Sequence, residues 1–261
     1  MKNCCHTALA VLVFASSFLN LAIADSQKKL DKKRSKPDIA SLKGTDSDTP
    51  FRELATVPVE DNPKLPRVLL IGDSITMGYT VPLRELLKDE ANVHFPHENC
   101  HSSRDILKNI EAYLGEKPWD VIQFNCGIHD VTRLNDAGKS IKAGEHGKQR
   151  VSIDEYRANL ETIIARLQKT GAALIWCSTT PVGDNLPHRK PEDVVRYNAA
   201  AAEIMHKHGI PVTDLHKLSS ENGKPKWSDG VHFTVDGSRK SARGASLAID
   251  TALTKRASKD K

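Results

Sequence analysis

Aromatic residues make up only 5% of this 261-residue chain, and no segment of it repeats. No aromatics are interleaved with its basic clusters and no DNA-binding motif is present, which excludes a stacking platform or groove reader for nucleic acid. None of its five cysteines has zinc-site spacing, so the sequence offers no cysteine-type zinc centre. A glycine-rich phosphate loop is missing as well, which argues against a nucleotide-binding domain. Long apolar runs are confined to the N-terminus. Even there Ser16, Ser17 and Asn20 interrupt the run, making it a poor spanning helix.

What that N-terminus does have is order of another kind. Lys2 is followed by apolar Ala8 to Phe14 and Phe18 to Ile23, and Ala22-Ile23-Ala24 is a small-x-small cleavage pattern before Asp25. Residues 1–24 therefore read as a secretory signal peptide. The expectation is a secreted or periplasmic protein with no stable membrane anchor after cleavage. Its removal takes one Lys and lowers the formal net charge from +5 to +4. Lys28, Lys29, Lys32, Lys33, Arg34 and Lys36 then form a basic arm without apolar periodicity, the pattern of a solvated segment. Residues 25–65 are rich in Lys, Asp, Ser, Thr and Pro and read as a linker or a strap over the domain. The domain itself is expected over 66–253, with a polar tail at 254–261. Cys100, Cys126 and Cys177 survive cleavage. Export makes a Cys100–Cys126 disulfide chemically possible, and buried free thiols are the alternative.

From Arg67 onward strand and helix patterns alternate. Strands are expected at Val68–Ile71, Asn92–Phe95, Val121–Phe124, Ala172–Cys177 and Ile210–Val212. Helices are expected at Val81–Lys88, Ser103–Leu114, Asp154–Lys169, Pro191–Lys207 and Val235–Leu253. Such alternation implies an α/β fold, three layers deep, with a flavodoxin-like parallel sheet of about five strands. Val131–Val151 carries little apolar material and reads as a long excursion near the sheet's C-terminal edge.

Two pieces of sequence carry chemistry. Gly72-Asp73-Ser74 follows the first strand, and open α/β sheets bind ligands at that edge. A serine there lies near a helix start, where backbone N–H groups favour the negative charge that develops when a hydroxyl attacks a carbonyl. Far downstream, Asp229-Gly-Val-His232 precedes the last helix. Asp and His three residues apart on a tight loop can face each other, so that the carboxylate holds one imidazole nitrogen and leaves the other as a base. A serine hydroxyl needs such a base.

With both motifs on one alternating chain, the stretch from Arg67 to Leu253 resembles the SGNH (GDSL) hydrolase family, in particular its carbohydrate-esterase members. The lipase-type Gly-x-Ser-x-Gly elbow is absent, which disfavours the α/β-hydrolase fold. The resemblance implies Ser74 as nucleophile, His232 as general base and then acid, and Asp229 as its orienter, with the Ser74 N–H in the oxyanion hole. The family's second block supplies a glycine N–H to that hole. Here Glu98-Asn-Cys-His-Ser-Ser-Arg104 has no glycine, and His101 is the nearest equivalent. Its third block is Gly-x-Asn-Asp, read here as Gly127-Ile-His129-Asp130, so His129 stands in for the Asn, with one N–H to donate. Asn125 is either a second donor or a strand-end cap. His146, His188 and Arg189 lie in loops within reach of a substrate.

The expected activity is that of an exported serine esterase acting on acyl, above all O-acetyl, esters of carbohydrate, with no metal or cofactor. The expected partner is thus an acylated carbohydrate or another ester, with no nucleic acid. The alternatives are a lipid or small-ester esterase of the same fold, and a non-catalytic carbohydrate-binding protein on a degraded hydrolase fold.

Overall fold

The computed structural model describes residues 46–221 and 223–259. The signal-peptide pattern, the basic arm and the end of the polar tail lie outside the described residues. The described chain forms a sheet of five parallel strands: β1 (Arg67–Ile71), β2 (Asn92–His94), β3 (Val121–Phe124), β6 (Ala173–Cys177) and β7 (Val212–Thr213), in the order β2-β1-β3-β6-β7. That is the flavodoxin-like order expected from the alternation. Val68, Leu70, Val121 and Ile122 are fully buried, as continuous apolar strands covered on both faces must be. Two further short strands, β4 (Arg133–Leu134) and β5 (Lys148–Gln149), pair antiparallel to each other. They organise the 131–151 excursion as a hairpin.

The register explains where a site can form. Ile71 lies opposite Phe124, Phe124 opposite Trp176, and Trp176 opposite Val212. The strands therefore end nearly flush, and Gly72-Asp73-Ser74, Asn125 and Ser178 emerge along one edge.

The helices are α1 (Thr49–Ala55), α2 (Ser74–Leu86), α3 (Ser103–Leu114), α4 (Ile153–Gln168), α5 (Pro191–Lys207), α6 (Leu215–Ser220) and α7 (Val235–Lys259). α2 starts seven residues before the Val81 start expected from Pro82. Pro82 lies inside it rather than in its first turn. Asp73 caps the earlier start, its side chain accepting the Ile75 N–H at 2.9 Å, and the proline faces Gly78 one turn back, where no side chain adds to the crowding. α1 and α6 escape notice in the sequence because both are short and bury only two residues each.

Packed structure begins upstream of Arg67. Phe51 and Ala55 of α1 are fully buried against α2, and burying one phenylalanine contributes roughly 1.5–3 kcal/mol. Just before α1, the Asp48 N–H donates to the Phe233 carbonyl at 3.1 Å. The Asp48 carboxylate accepts from Ser238 Oγ at 2.7 Å and Arg52 Nε at 3.0 Å. Burial pushes the Asp48 pKa up, against the pull of these partners. A Cβ on Gly78 would sit 2.2 Å from Asp48 Oδ2, so glycine there admits the carboxylate between α2 and α7.

The Cys100–Cys126 disulfide does not form. Cys100, Cys126 and Cys177 are free and buried, behaving as small core hydrophobes. Burial pushes the Cys100 and Cys177 thiols up to about 12.

Candidate active site

Ser74 is the first residue of α2, so its N–H has no acceptor inside the helix. Gly72, two residues earlier, is required by space: a Cβ there would lie 2.1 Å from Thr76 Oγ1. At the other end of the fold, the loop before α7 folds on itself around Asp229. Asp229 Oδ1 accepts the N–H groups of Val231 at 2.9 Å and His232 at 2.7 Å. Gly230, at φ +85°, makes that turn possible. Ser228 N–H donates to the His232 carbonyl at 2.8 Å, and Gly183 N–H donates to the Gly230 carbonyl at 2.8 Å.

The two pieces, 158 residues apart, meet. Ser74 Oγ lies 2.9 Å from His232 Nε2, and His232 Nδ1 lies 2.7 Å from Asp229 Oδ2. With Nδ1 protonated toward the carboxylate, Nε2 is the acceptor for the serine proton. Burial works to raise the Asp229 pKa, but the hydrogen bonds from the His232 ring and from the His232 and Val231 N–H groups overcome it. The carboxyl is held below its ordinary value and stays an acceptor.

The opposite flank holds the other expected residues, with differences. His101 has φ +51° and is the sole non-glycine with a positive φ among the described residues. It occupies backbone space that glycine enters freely. Its N–H, expected to face an oxyanion, is donated to Asn99 Oδ1 at 2.9 Å, the bond of an Asx turn. Asn125 is also committed elsewhere. Its amide donates to the Cys177 carbonyl at 2.8 Å and to Thr179 Oγ1 at 3.3 Å, so of its two readings the geometry favours the strand-end cap. His129 differs from both. Its half-buried ring makes no hydrogen bond among the described residues and stands edge-on to the His101 ring at 5.0 Å. Burial, and then the nearby charge of Arg189, push its pKa down to about 3. It is therefore neutral in ordinary buffers, with one N–H to give. Of the four donors expected from the sequence, the Ser74 N–H and the His129 ring make no donor hydrogen bond among the described residues.

Asp130 ties the flank together. Its Oδ1 accepts the Ser103 N–H at 3.0 Å and Oγ–H at 2.5 Å, joining the third block to the start of α3. Burial raises its pKa to about 6 despite these bonds. Gly127 is fixed by a close approach, since a Cβ there would lie 2.1 Å from Thr179 Oγ1. The loop after β6 is clamped to α5 by Asn198, which accepts from the Thr179 N–H and donates to the Thr179 carbonyl, both at 2.8 Å.

Of the loop residues, Arg189 does reach the site. Its Nε donates to the Ile128 carbonyl at 3.2 Å and Thr132 Oγ1 at 3.1 Å, on either side of His129, and its charge acts on Asp73 and Asp229. His188 lies beside it, 3.2 Å from Arg189 Nη1, whereas His146 is exposed. Arg150, whose N–H donates to the Thr132 carbonyl at 2.8 Å and whose charge reaches His129, carries no motif and is not among the residues expected from sequence. Trp227 lines a surface recess beside Asp229. Among the described residues no group of His, Cys, Asp and Glu side chains is arranged to hold a metal ion.

Comparison with known proteins agrees with this geometry. The family model of the GDSL-like Lipase/Acylhydrolase family matches residues 70–240. The mouse (Mus musculus) PC-esterase domain-containing protein 1A is 27% identical over 144 residues, which are 49% of this chain and 28% of that protein. The match thus spans less than a third of that relative. Among solved structures, the acetyl xylan esterase AlAXEase superposes with a TM-score of 0.57 at 20% identity, covering 70% of this chain and 99% of that one. A carbohydrate acetylesterase family member from Sinorhizobium meliloti gives 0.58 at 15% identity, covering 73% and 100%. The lipase/acylhydrolase from Enterococcus faecalis gives 0.54 at 21% identity, covering 72% and 96%. At these identities the superpositions establish the shared SGNH hydrolase fold.

Proposed function

Because this chain belongs to the GDSL-like lipase/acylhydrolase family, we propose that it is a serine esterase that removes acyl groups, above all acetyl groups, from carbohydrate. The observation that carries the reading is the contact of Ser74 Oγ with His232 Nε2 at 2.9 Å, with His232 held in turn by Asp229 at 2.7 Å. Ser74 Oγ attacks the ester carbonyl while His232 Nε2 takes its proton. The tetrahedral oxyanion is met by the Ser74 N–H and the His129 ring N–H. Collapse breaks the bond to the sugar oxygen, which takes the proton from His232 and departs as a hydroxyl, leaving the acyl group on Ser74 Oγ. Water, deprotonated by His232, then attacks the acyl-enzyme and frees the acid. Carbohydrate as the acyl carrier is favoured by the acetyl xylan esterase and carbohydrate acetylesterase neighbours and by a surface recess beside Asp229 that Trp227 helps to line. The N-terminal export pattern suits a polymeric substrate outside the cytoplasm.

The test has two stages. Acetyl-phenol ester should release phenol in a burst, followed by slower turnover, and Ser74→Ala should lose both. A panel of acetylated polysaccharides, scored by released acetate, should then contain at least one substrate turned over faster than a triacylglycerol. Ser74-independent release, or preference for the lipid, would overturn the reading.

A further inference from the structure

The basic flank of the site is over-supplied with donors. Arg189 uses Nε on the Ile128 carbonyl and Thr132 Oγ1 and sets Nη1 3.2 Å from His188 Nε2, while its Nη2 makes no hydrogen bond among the described residues. Arg150 is anchored to the same turn by its backbone, its N–H donating to the Thr132 carbonyl at 2.8 Å. Its side chain makes no salt bridge or hydrogen bond among the described residues, and its Nε is buried without a partner. That Nε is out of a ligand's reach, so the donors open to an anion are the Nη groups of Arg150 and Nη2 of Arg189, which make no hydrogen bond among the described residues. Both arginines hang from the 128–132 turn that presents His129. The carboxylates in their electrostatic reach are already engaged or set apart from them. Asp105 accepts from the Ser102 N–H at 3.0 Å and Oγ at 2.5 Å, Asp130 accepts from Ser103, and Asp229 accepts from His232. Asp73, next to Ser74 in the chain, gives one oxygen to the Ile75 N–H, and its other oxygen is buried with no hydrogen bond to either arginine.

We propose that Arg150 and Arg189 form an anion subsite beside the nucleophile, which selects esters borne on an acidic carbohydrate, one whose carboxylate or sulfate half-ester lies close to the acyl group. This rests on the esterase reading for the reaction, but the binding claim stands on the two arginines. Planar guanidinium groups match the paired oxygens of a carboxylate or sulfate. Arg189 is within electrostatic reach of Asp73 and Asp229, next to the nucleophile and its base, and Arg150 is within reach of Arg189 and His129.

Equilibrium binding and kinetics separate the two claims. Ser74→Ala protein is titrated calorimetrically with methyl glucuronoside, methyl glucoside 6-sulfate and methyl glucoside. One of the two anionic sugars should bind at least about tenfold tighter than the neutral one, and which one does identifies the anion. Wild-type kcat/KM on the O-acetylated forms should show the same preference, weakening as salt is raised. Arg150→Gln and Arg189→Gln should each bring the anionic-to-neutral ratio toward one, and Arg150→Lys and Arg189→Lys should keep part of it. Equal binding of charged and neutral sugars, or a ratio unchanged in both Gln variants, would overturn the subsite. If Ser74-dependent release of phenol persists with no anionic preference, only the subsite fails. If no ester is cleaved through Ser74 while the anionic sugar still binds selectively, only the esterase reading fails.

Discussion

The two sides of Ser74 are built on opposite principles. On the His232 side the side-chain hydrogen bonds close around the imidazole: Asp229 takes two backbone N–H groups and one ring nitrogen, and His232 turns its other nitrogen to Ser74. On the His129 side donors outnumber acceptors. The His129 ring is unpaired among the described residues, and the Arg150 Nε is buried without a partner. A corner whose hydrogen bonds close on themselves can hold a base in one orientation. A flank whose donors point nowhere inside the protein is suited to negative charge brought by the reaction or by the substrate. In the proposed mechanism the contrast puts proton transfer on one side and charge stabilisation on the other.

The sharpest way to break the contrast is at the closed corner. Ser74→Ala or His232→Ala should each lower kcat on an acetyl-phenol ester by on the order of 10⁴- to 10⁶-fold, with an unchanged far-UV circular dichroism spectrum. On the open flank, His129→Ala should lower kcat by about 100- to 1000-fold with little change in KM, and His129→Asn should recover most of it. Because the His129 pKa is pushed down to about 3, its ring is neutral throughout the working range. The acid limb of the rate profile should therefore stay at the same pH in His129→Asn.

The remaining tests concern what holds each side in place. Asp130 has a folded pKa raised to about 6 from 3.8. Its contribution to stability is therefore fully present below the unfolded pKa and is lost as pH rises through about 6. At about 1.4 kcal/mol per pKa unit this is up to about 3 kcal/mol. Urea titrations should show Asp130→Asn gaining stability relative to wild type between pH 3.5 and 7, and a constant difference would contradict the account. Gly78→Ala drives a methyl into the Asp48 carboxylate behind the closed corner. Such overpacking should lower stability by about 1–3 kcal/mol, read as a lower urea midpoint at constant slope. The smallest effect is expected at His101→Gly. Relief of the positive φ should raise stability by up to about 1 kcal/mol, seen as a small rise in Tm.

How much of this was legible beforehand follows the same division. Strands β1 and β3 and helices α3 and α4 announce themselves by unbroken apolar runs or helical spacing, and right-handed crossovers leave few sheet orders, of which the flavodoxin-like one is found. The Asp229–His232 contact was readable because it depends on residue type and local spacing, and the meeting with Ser74 because both motifs stand next to a helix start on an alternating chain. The open flank was legible only at His129 and Arg189, because the rest of its behaviour depends on where donors end up. Asn125 and His101 look like available donors in the sequence, and only packing reveals that Cys177, Thr179 and Asn99 consume them. Arg150 gave no signal, since a buried Nε without an acceptor has no sequence pattern. Asp48 was hidden in a polar stretch, and its clue was the glycine at position 78 in the middle of a helix, which leaves room for something.

The most direct measurement is of the covalent intermediate. Wild-type protein is mixed with an acetyl-phenol ester, quenched in acid within the burst, digested and analysed by peptide mass spectrometry. The account predicts one acetyl group on the peptide containing Ser74, localised to that hydroxyl by fragmentation, and none in Ser74→Ala treated alike. An acetyl group that lodges on another residue, or turnover of the ester with Ser74 never modified, would contradict it.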